Sequence, residues 1–142
     1  MNVRIKTIGD TAIPKYQTPG AVGFDFSARE TTVIPARSIG LVPTGCVIEV
    51  PPGYMLHVGA RSSTPKKKGL LVPHGFGVID QDYCGDGDEI LLQFYNFTDK
   101  DVTVEKGERV GQGVFVRVGI VQFEQVQSMG NKDRGGFGST KH

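Results

Sequence analysis

Glycine and proline punctuate this chain so often that it cannot be built from long helices. Twenty glycines and eight prolines fall among 142 residues, with glycine at roughly twice its ordinary usage. Inside a helix, glycine costs about 1 kcal/mol relative to alanine and proline about 3. The runs between these breakers are β-branched and aromatic: Thr31–Ile34, Cys46–Val50, Tyr54–Val58, Glu89–Phe97, Val102–Val104 and Val114–Val118. Val3, Ile5 and Thr7 alternate with Arg4 and Lys6, the period of a strand. The pattern predicts an all-β fold of many short strands, as in a sandwich, barrel or jelly roll. Ile120–Val126 reads as a last strand, Glu105–Gly113 as a turn carrying Gln112, and Lys66–Lys68 as a solvated loop. The polar, glycine-rich segment from Ser128 to His142 cannot pack a core by its composition and reads as a mobile tail. One domain over residues 1–127 and a tail over 128–142 is the expected organisation.

Composition removes several classes of function. Apolar content of 38% with 22% charge is that of a soluble globular chain. A formal net charge of +1 gives no general attraction to nucleic acid or to an anionic membrane. Any anionic ligand must then be held by local groups. Cys46 and Cys84 form no C-x-x-C pattern, so neither a disulfide framework nor a zinc site is expected. The start Met1–Lys6 has no apolar stretch of a secretory signal and no run is long enough to span a membrane, which predicts a cytoplasmic protein. There is no G-x-x-x-x-G-K-[ST], no G-x-S-x-G elbow and no G-x-G-x-x-G opening a helix. His57, His74 and His142 lack metal-ligand spacing.

Five groups of residues remain. Gly77–Asp86 is the densest: Val78 and Ile79 lead into Asp80, with Tyr83 three positions on and glycines at each flank. By itself it reads more readily as a strand entering an Asp/Gly turn, since structural carboxylates in turns outnumber catalytic ones. In an extended segment Asp80 and Tyr83 face opposite sides, so both can serve one ligand only if the chain bends between them. Asp25 lies between Phe24 and Phe26, and needs a partner if buried. Arg61–Ser62–Ser63 supplies a forked cation and two hydroxyls, a plausible anion site or a polar turn. Gln112 and the Gly/Phe tail complete the set.

Together these segments resemble the five motifs of the trimeric dUTP pyrophosphatase (dUTPase) family, in order and spacing: Ala21–Ala28, Pro43–Gly45 continuing to Arg61–Ser63, Gly77–Gly85, Lys106–Gln112 and Arg134–Thr140. The Gly85–Asp88 step and the Asn131–Gly136 tail resemble the variant of Gram-positive bacteria and their phages. The resemblance implies a jelly-roll-like β-barrel, a homotrimer with shared active sites and a flexible C-terminal lid. It also implies the reaction: water attacks the α-phosphorus of dUTP, giving dUMP and pyrophosphate with Mg²⁺. That limits uracil in DNA and supplies dUMP for dTMP synthesis.

The resemblance also implies roles. Asp80 matches the general base, and Gln112 a donor to the α-phosphate and attacking water. Tyr83 matches the ring that packs on deoxyribose. Backbone groups from His74 through Gly77 to Val78 match the hairpin that reads uracil. Arg61, Ser62 and Ser63 match phosphate ligands, and Asp25 an acid that reaches magnesium through water and pairs with Arg109. In the tail, Arg134, Phe137, Gly138, Ser139 and Thr140 match the segment that covers uracil and grips the γ-phosphate. The chain departs from the common pattern at Lys132, where an arginine is usual, at His74, where many members carry asparagine, and at Lys141, where glycine usually stands. Two rival functions follow from the same residues. A dCTP deaminase shares the fold and the Arg-Ser-Ser segment but needs a glutamate where this chain has Gln93. A phage-type module that sequesters a repressor would need no intact catalytic set.

Overall fold

The computed structural model describes residues 1–137. They form eleven short strands and one helical turn: β1 Ile5–Thr7, β2 Phe24–Ser27, β3 Thr32–Ile34, β4 Ile39–Pro43, β5 Cys46–Ile48, β6 Tyr54–Ala60, α1 Thr64–Lys68, β7 Leu70–Leu71, β8 Gly77–Ile79, β9 Leu91–Asn96, β10 Val102–Val104 and β11 Arg109–Arg117. Every pairing is antiparallel, in the orders β1-β5, β10-β3, β2-β11-β6-β8 and β4-β9-β7. Neighbours in space are mostly not neighbours in sequence, as jelly-roll crossovers require. No described helix is long and apolar enough to cross a membrane.

Alternation along each strand builds a single core. Phe24 and Phe26 turn inward from β2, Leu56 and Val58 from β6, Leu92 and Phe94 from β9, and they join Ile34 and Val104 in one buried cluster. The intervening Asp25, Ser27, His57 and Gln93 take the other face. Asn96, like Thr44 and Thr64, is a polar residue buried in this core. Its amide donates to the carbonyls of Ile34, Pro35 and Lys100 at 3.0, 3.2 and 2.7 Å and its oxygen accepts from Thr98 N–H, so the cost of burying it is offset.

Three local expectations change. The turn at Glu105–Gly113 shortens to Glu105–Glu108, closed by the Glu108 N–H donating to the Glu105 carbonyl at 3.0 Å, and Gln112 lies inside β11. Glycine does not break this strand because the space is needed: a Cβ at Gly113 would stand 2.7 Å from the Phe24 ring and 2.9 Å from Phe26. Lys66–Lys68 is helical rather than loop, with Pro65 in the first turn and Gly69 closing the end at φ 68°. Ile120–Val126 forms no strand, and Ile120, Val121 and Phe123 project into solvent because no edge of their own chain receives them.

Candidate active site

Asp25, on the outward face of β2, stands directly opposite Gln112 of β11, and partners in an antiparallel pair share a face. The Asp25 carboxylate is only 12% exposed and each oxygen has its own cation. Oδ1 forms an ion pair with Arg61 Nε at 3.1 Å, and Oδ2 accepts a hydrogen bond from Arg109 Nη1 at 3.0 Å. The second contact is the pairing that the resemblance implied. The first has no counterpart among the sequence expectations, because a contact between β2 and the residue after β6 leaves no mark on local sequence. Arg61 also donates through Nη1 to the Arg109 carbonyl at 3.2 Å, and Thr64 Oγ1 to the Val110 carbonyl at 2.9 Å. The Arg-Ser-Ser turn is thereby fixed to the start of β11.

Ser63 is the N-cap residue of α1, yet its side chain makes no capping bond. The hydroxyls of Ser62 and Ser63 are both uncommitted among the described residues. Gln112 donates one amide hydrogen to the Ala60 carbonyl at 3.1 Å, which leaves a second hydrogen on the same nitrogen. Beside this cluster lies a cavity of about 290 Å³ lined by Arg61, Ser63, Lys67, Lys68, Glu108 and Arg109 among others. Donors and cations outnumber acceptors here, which is the chemistry of a polyanion site.

The second group sits beyond the other edge of β6. Leu70–Leu71 and Gly77–Ile79 bracket a loop closed by the Gly75 N–H donating to the Val72 carbonyl at 3.2 Å, with Gly75 at φ 82°. His74 is at the exposed tip, and the rings of Phe76 and His57 lie 4.6 Å apart. A small cavity of about 30 Å³ under this loop is lined by Val58, Val72, His74, Gly77 and Gln93 among others.

After β8 the chain bends. The Tyr83 N–H donates to the Asp80 carbonyl at 3.3 Å, so the run from Asp80 to Tyr83 is a turn rather than a strand. The bend required for Asp80 and Tyr83 to serve one ligand is present. Gln81 ties the turn to β6 by donating to the Tyr54 carbonyl at 3.1 Å, and Tyr83 Oη donates to the Glu89 carbonyl at 3.0 Å. The Asp80 carboxylate is exposed and accepts no hydrogen bond within the described residues. It opens on a groove of about 610 Å³ shared with Tyr54, Met55, Asp82 and Ile120.

Within one chain these two groups are far apart. Register places Gln112 opposite Gly59 of β6 and Ile79 opposite Leu56, so Asp80 comes level with Met55. Four residues of ~3.3 Å rise and two steps of ~4.8 Å between strands separate the two backbones by about 16 Å. Arg134 and Phe137 are exposed in the tail, while Gly138, Ser139 and Thr140 lie outside the described residues.

The family model described as dUTPase matches residues 10–141. The chain is 41% identical over 131 residues to the deoxyuridine 5'-triphosphate nucleotidohydrolase of Lactococcus lactis, covering 90% of this chain and 87% of that one. Its fold is similar to the crystal structure of the dUTPase from Streptococcus mutans, with a TM-score of 0.78, 39% identity, and coverage of 84% of this chain and 98% of that one. It is also similar in fold to a mutant dUTPase from phage phi11 of S. aureus, whose structure concerns the coordination of a structural Mg(II) ion, with a TM-score of 0.81, 17% identity, and coverage of 91% and 99%. A β-barrel with an arginine-bridged carboxylate, a free pair of serine hydroxyls and a carboxylate on a tyrosine-bearing turn meets that family's model along nearly its whole length: the chain belongs to the dUTPase family.

Proposed function

We propose that this protein hydrolyses dUTP to dUMP and pyrophosphate at sites assembled between the chains of a homotrimer. The observation that carries the reading is the division of labour on one sheet: phosphate-gripping groups at one end of β6 and an uncommitted carboxylate at the other. Arg61, Ser62, Ser63 and Gln112 hold the phosphate chain, and Gln112 stabilises charge developing on the α-phosphoryl oxygens. Asp80 accepts the proton of the attacking water, and the lack of a donor to it among the described residues leaves both oxygens for that task. Tyr83 packs on the deoxyribose and leaves no room for a 2′-hydroxyl. Backbone groups from His74 to Val78 read the uracil edge.

Joining the two groups needs a second chain, and the surface supports one. Ile39 and Leu41 of β4, Leu91 of β9 and Leu71 of β7 make an exposed apolar outer face on that sheet. Ile120, Val121 and Phe123 add a strand-like apolar segment with no place in its own chain. Contiguous faces of this kind mark association surfaces.

Magnesium fits as an ion carried on substrate phosphates. Among the described residues no cluster of three carboxylate, histidine or cysteine side chains could hold a metal, and both Asp25 oxygens face arginines. Asp25 would therefore reach the ion through its water shell, in keeping with the preference of Mg²⁺ for retained waters and phosphate oxygens. When bound, the ion neutralises phosphate charge and polarises the α-phosphoryl group. The free thiols Cys46 and Cys84 suit a reducing cytoplasm.

Purified protein with Mg²⁺ should release pyrophosphate from dUTP, and not from UTP, dTTP or dCTP. Equal turnover of UTP would remove the sugar-packing role from Tyr83. Turnover of dCTP to dUTP would indicate a deaminase, against which Gln93 beneath the loop between β7 and β8 argues, since an amide cannot cycle a proton. The segment 128–142 is proposed to act as a lid, with Phe137 over uracil and Arg134, Ser139 and Thr140 on the γ-phosphate, excluding water from the closed site. Truncation after Met129 should then lower kcat/KM for dUTP by at least about 10²-fold and leave the mass of the assembly trimeric. Dissociation of the truncated protein would mean that the tail is structural.

A further inference from the structure

We infer that Arg29 and Glu89 are positioning residues for sugar selection, which act by bracing the ring of Tyr83 from behind its hydroxyl. The inference rests on the reading of Tyr83 as the ring that faces deoxyribose. Tyr83 lies on an exposed turn, followed by a glycine-broken loop whose only internal side-chain tie is Asp88 Oδ2 accepting from the Gly85 N–H at 2.7 Å. What fixes the ring is its far end. Tyr83 Oη donates to the Glu89 carbonyl at 3.0 Å.

Glu89 is itself held on several sides. Its side chain is 14% exposed, Oε1 accepts from Arg29 Nε at 2.9 Å and Oε2 from Arg29 Nη2 at 3.2 Å, a bidentate pair. Oε1 also accepts from the Gly45 N–H at 2.6 Å. The next residue continues the attachment: the Ile90 N–H donates to the Cys46 carbonyl at 2.9 Å, and the Ile90 carbonyl accepts from Thr44 Oγ1 at 2.7 Å. Arg29 is anchored in turn, its N–H donating to the Pro43 carbonyl at 2.8 Å. Tyr83 is thus attached through Glu89 to the β4–β5 turn and to the end of β2.

The rigidity has a chemical purpose. An apolar wall rejects a ligand that merely adds a hydroxyl by only about 10²-fold, and a wall that can yield rejects it less. Discrimination against a ribonucleotide then depends on how far the ring can retreat. Neither Arg29 nor Glu89 is among the residues assigned to sugar or phosphate, and the contact from this pair toward the sugar-facing ring is the Tyr83 hydroxyl on the Glu89 carbonyl.

The test compares kcat/KM for dUTP and for UTP in the purified full-length protein with Mg²⁺. In Glu89→Ala the preference for dUTP should fall about tenfold, and in Arg29→Met about threefold because the Gly45 N–H contact survives. Tyr83→Phe, which keeps the ring and loses the tether, should relax the preference similarly, and Tyr83→Phe with Glu89→Ala should relax it no further than either alone. Val104→Ala serves as the stability control. It lowers the thermal midpoint from a core position on β10 and should leave the preference unchanged. A Glu89→Ala protein with wild-type preference, additive losses in the double variant, or a relaxed preference in Val104→Ala would each overturn the brace. A wild-type protein with no preference for dUTP would overturn the sugar-packing role of Tyr83, and the brace with it.

Discussion

Asp80→Asn should lower kcat for dUTP by about 10²–10⁴-fold while nucleotide affinity stays near that of the wild type. The amide keeps the size and the exposed position of the carboxylate but cannot take a proton from water. Because Asp80 accepts no hydrogen bond among the described residues, the substitution leaves none of their donors unpaired and the turn to Tyr83 is retained through its backbone bond. Single-turnover kinetics with an excess of protein separate the chemical step from product release. Hydrolysis at a near wild-type rate would show that another group receives the proton.

Two inactive chains should restore one another. Gln112→Ala removes a donor from the phosphate end of the sheet, a loss of about 10²–10³ in kcat, and Asp80→Asn disables the opposite end. With roughly 16 Å between these positions in one chain, the proposed shared site would take Asp80 from one protomer and Gln112 from another. In trimers reassembled from an equal mixture, half the chains carry each intact residue, so about a quarter of the sites unite both and about a quarter of wild-type activity should return. Each variant refolded alone stays inactive. Failure of the mixture, with mixed trimers verified by mass, would mean that each site belongs to a single chain.

The core is the part of this structure most open to reading from sequence. Phe24 and Phe26 alternate with Asp25 and Ser27, and Leu56 and Val58 with His57, because a half-buried strand must sort its side chains by face. The reading fails where local pattern and tertiary need diverge. Ile39–Pro43 is broken up by its glycine and proline, yet β4 forms there because Gly40 makes room for Ile34, within 2.8 Å of where a Cβ would stand. Ile120–Val126 has the alternation of a strand but no edge to pair with in its own chain, and pattern cannot say whose edge a strand will use. The site is legible in a similar measure. Motif order points to Asp25, Arg61, Asp80 and Gln112 as one ensemble. The contacts that orient them, Arg61 on Asp25 and Glu89 behind Tyr83, join segments far apart in sequence and have no local signature.

The carboxylate of Asp25 has a thermodynamic consequence for nucleotide binding. Arg61 and Arg109 are long side chains, and immobilising such a group when a ligand arrives costs about 0.5–1.5 kcal/mol in lost rotamer freedom. Here both are already held at Asp25, Arg61 by an ion pair and Arg109 by one N–H, with one further bond from Arg61 to the Arg109 carbonyl. A guanidinium has five N–H donors, so most of the ten remain unused by these contacts. Part of the entropy of both side chains is therefore lost during folding, and a triphosphate meets cations already gathered at Asp25.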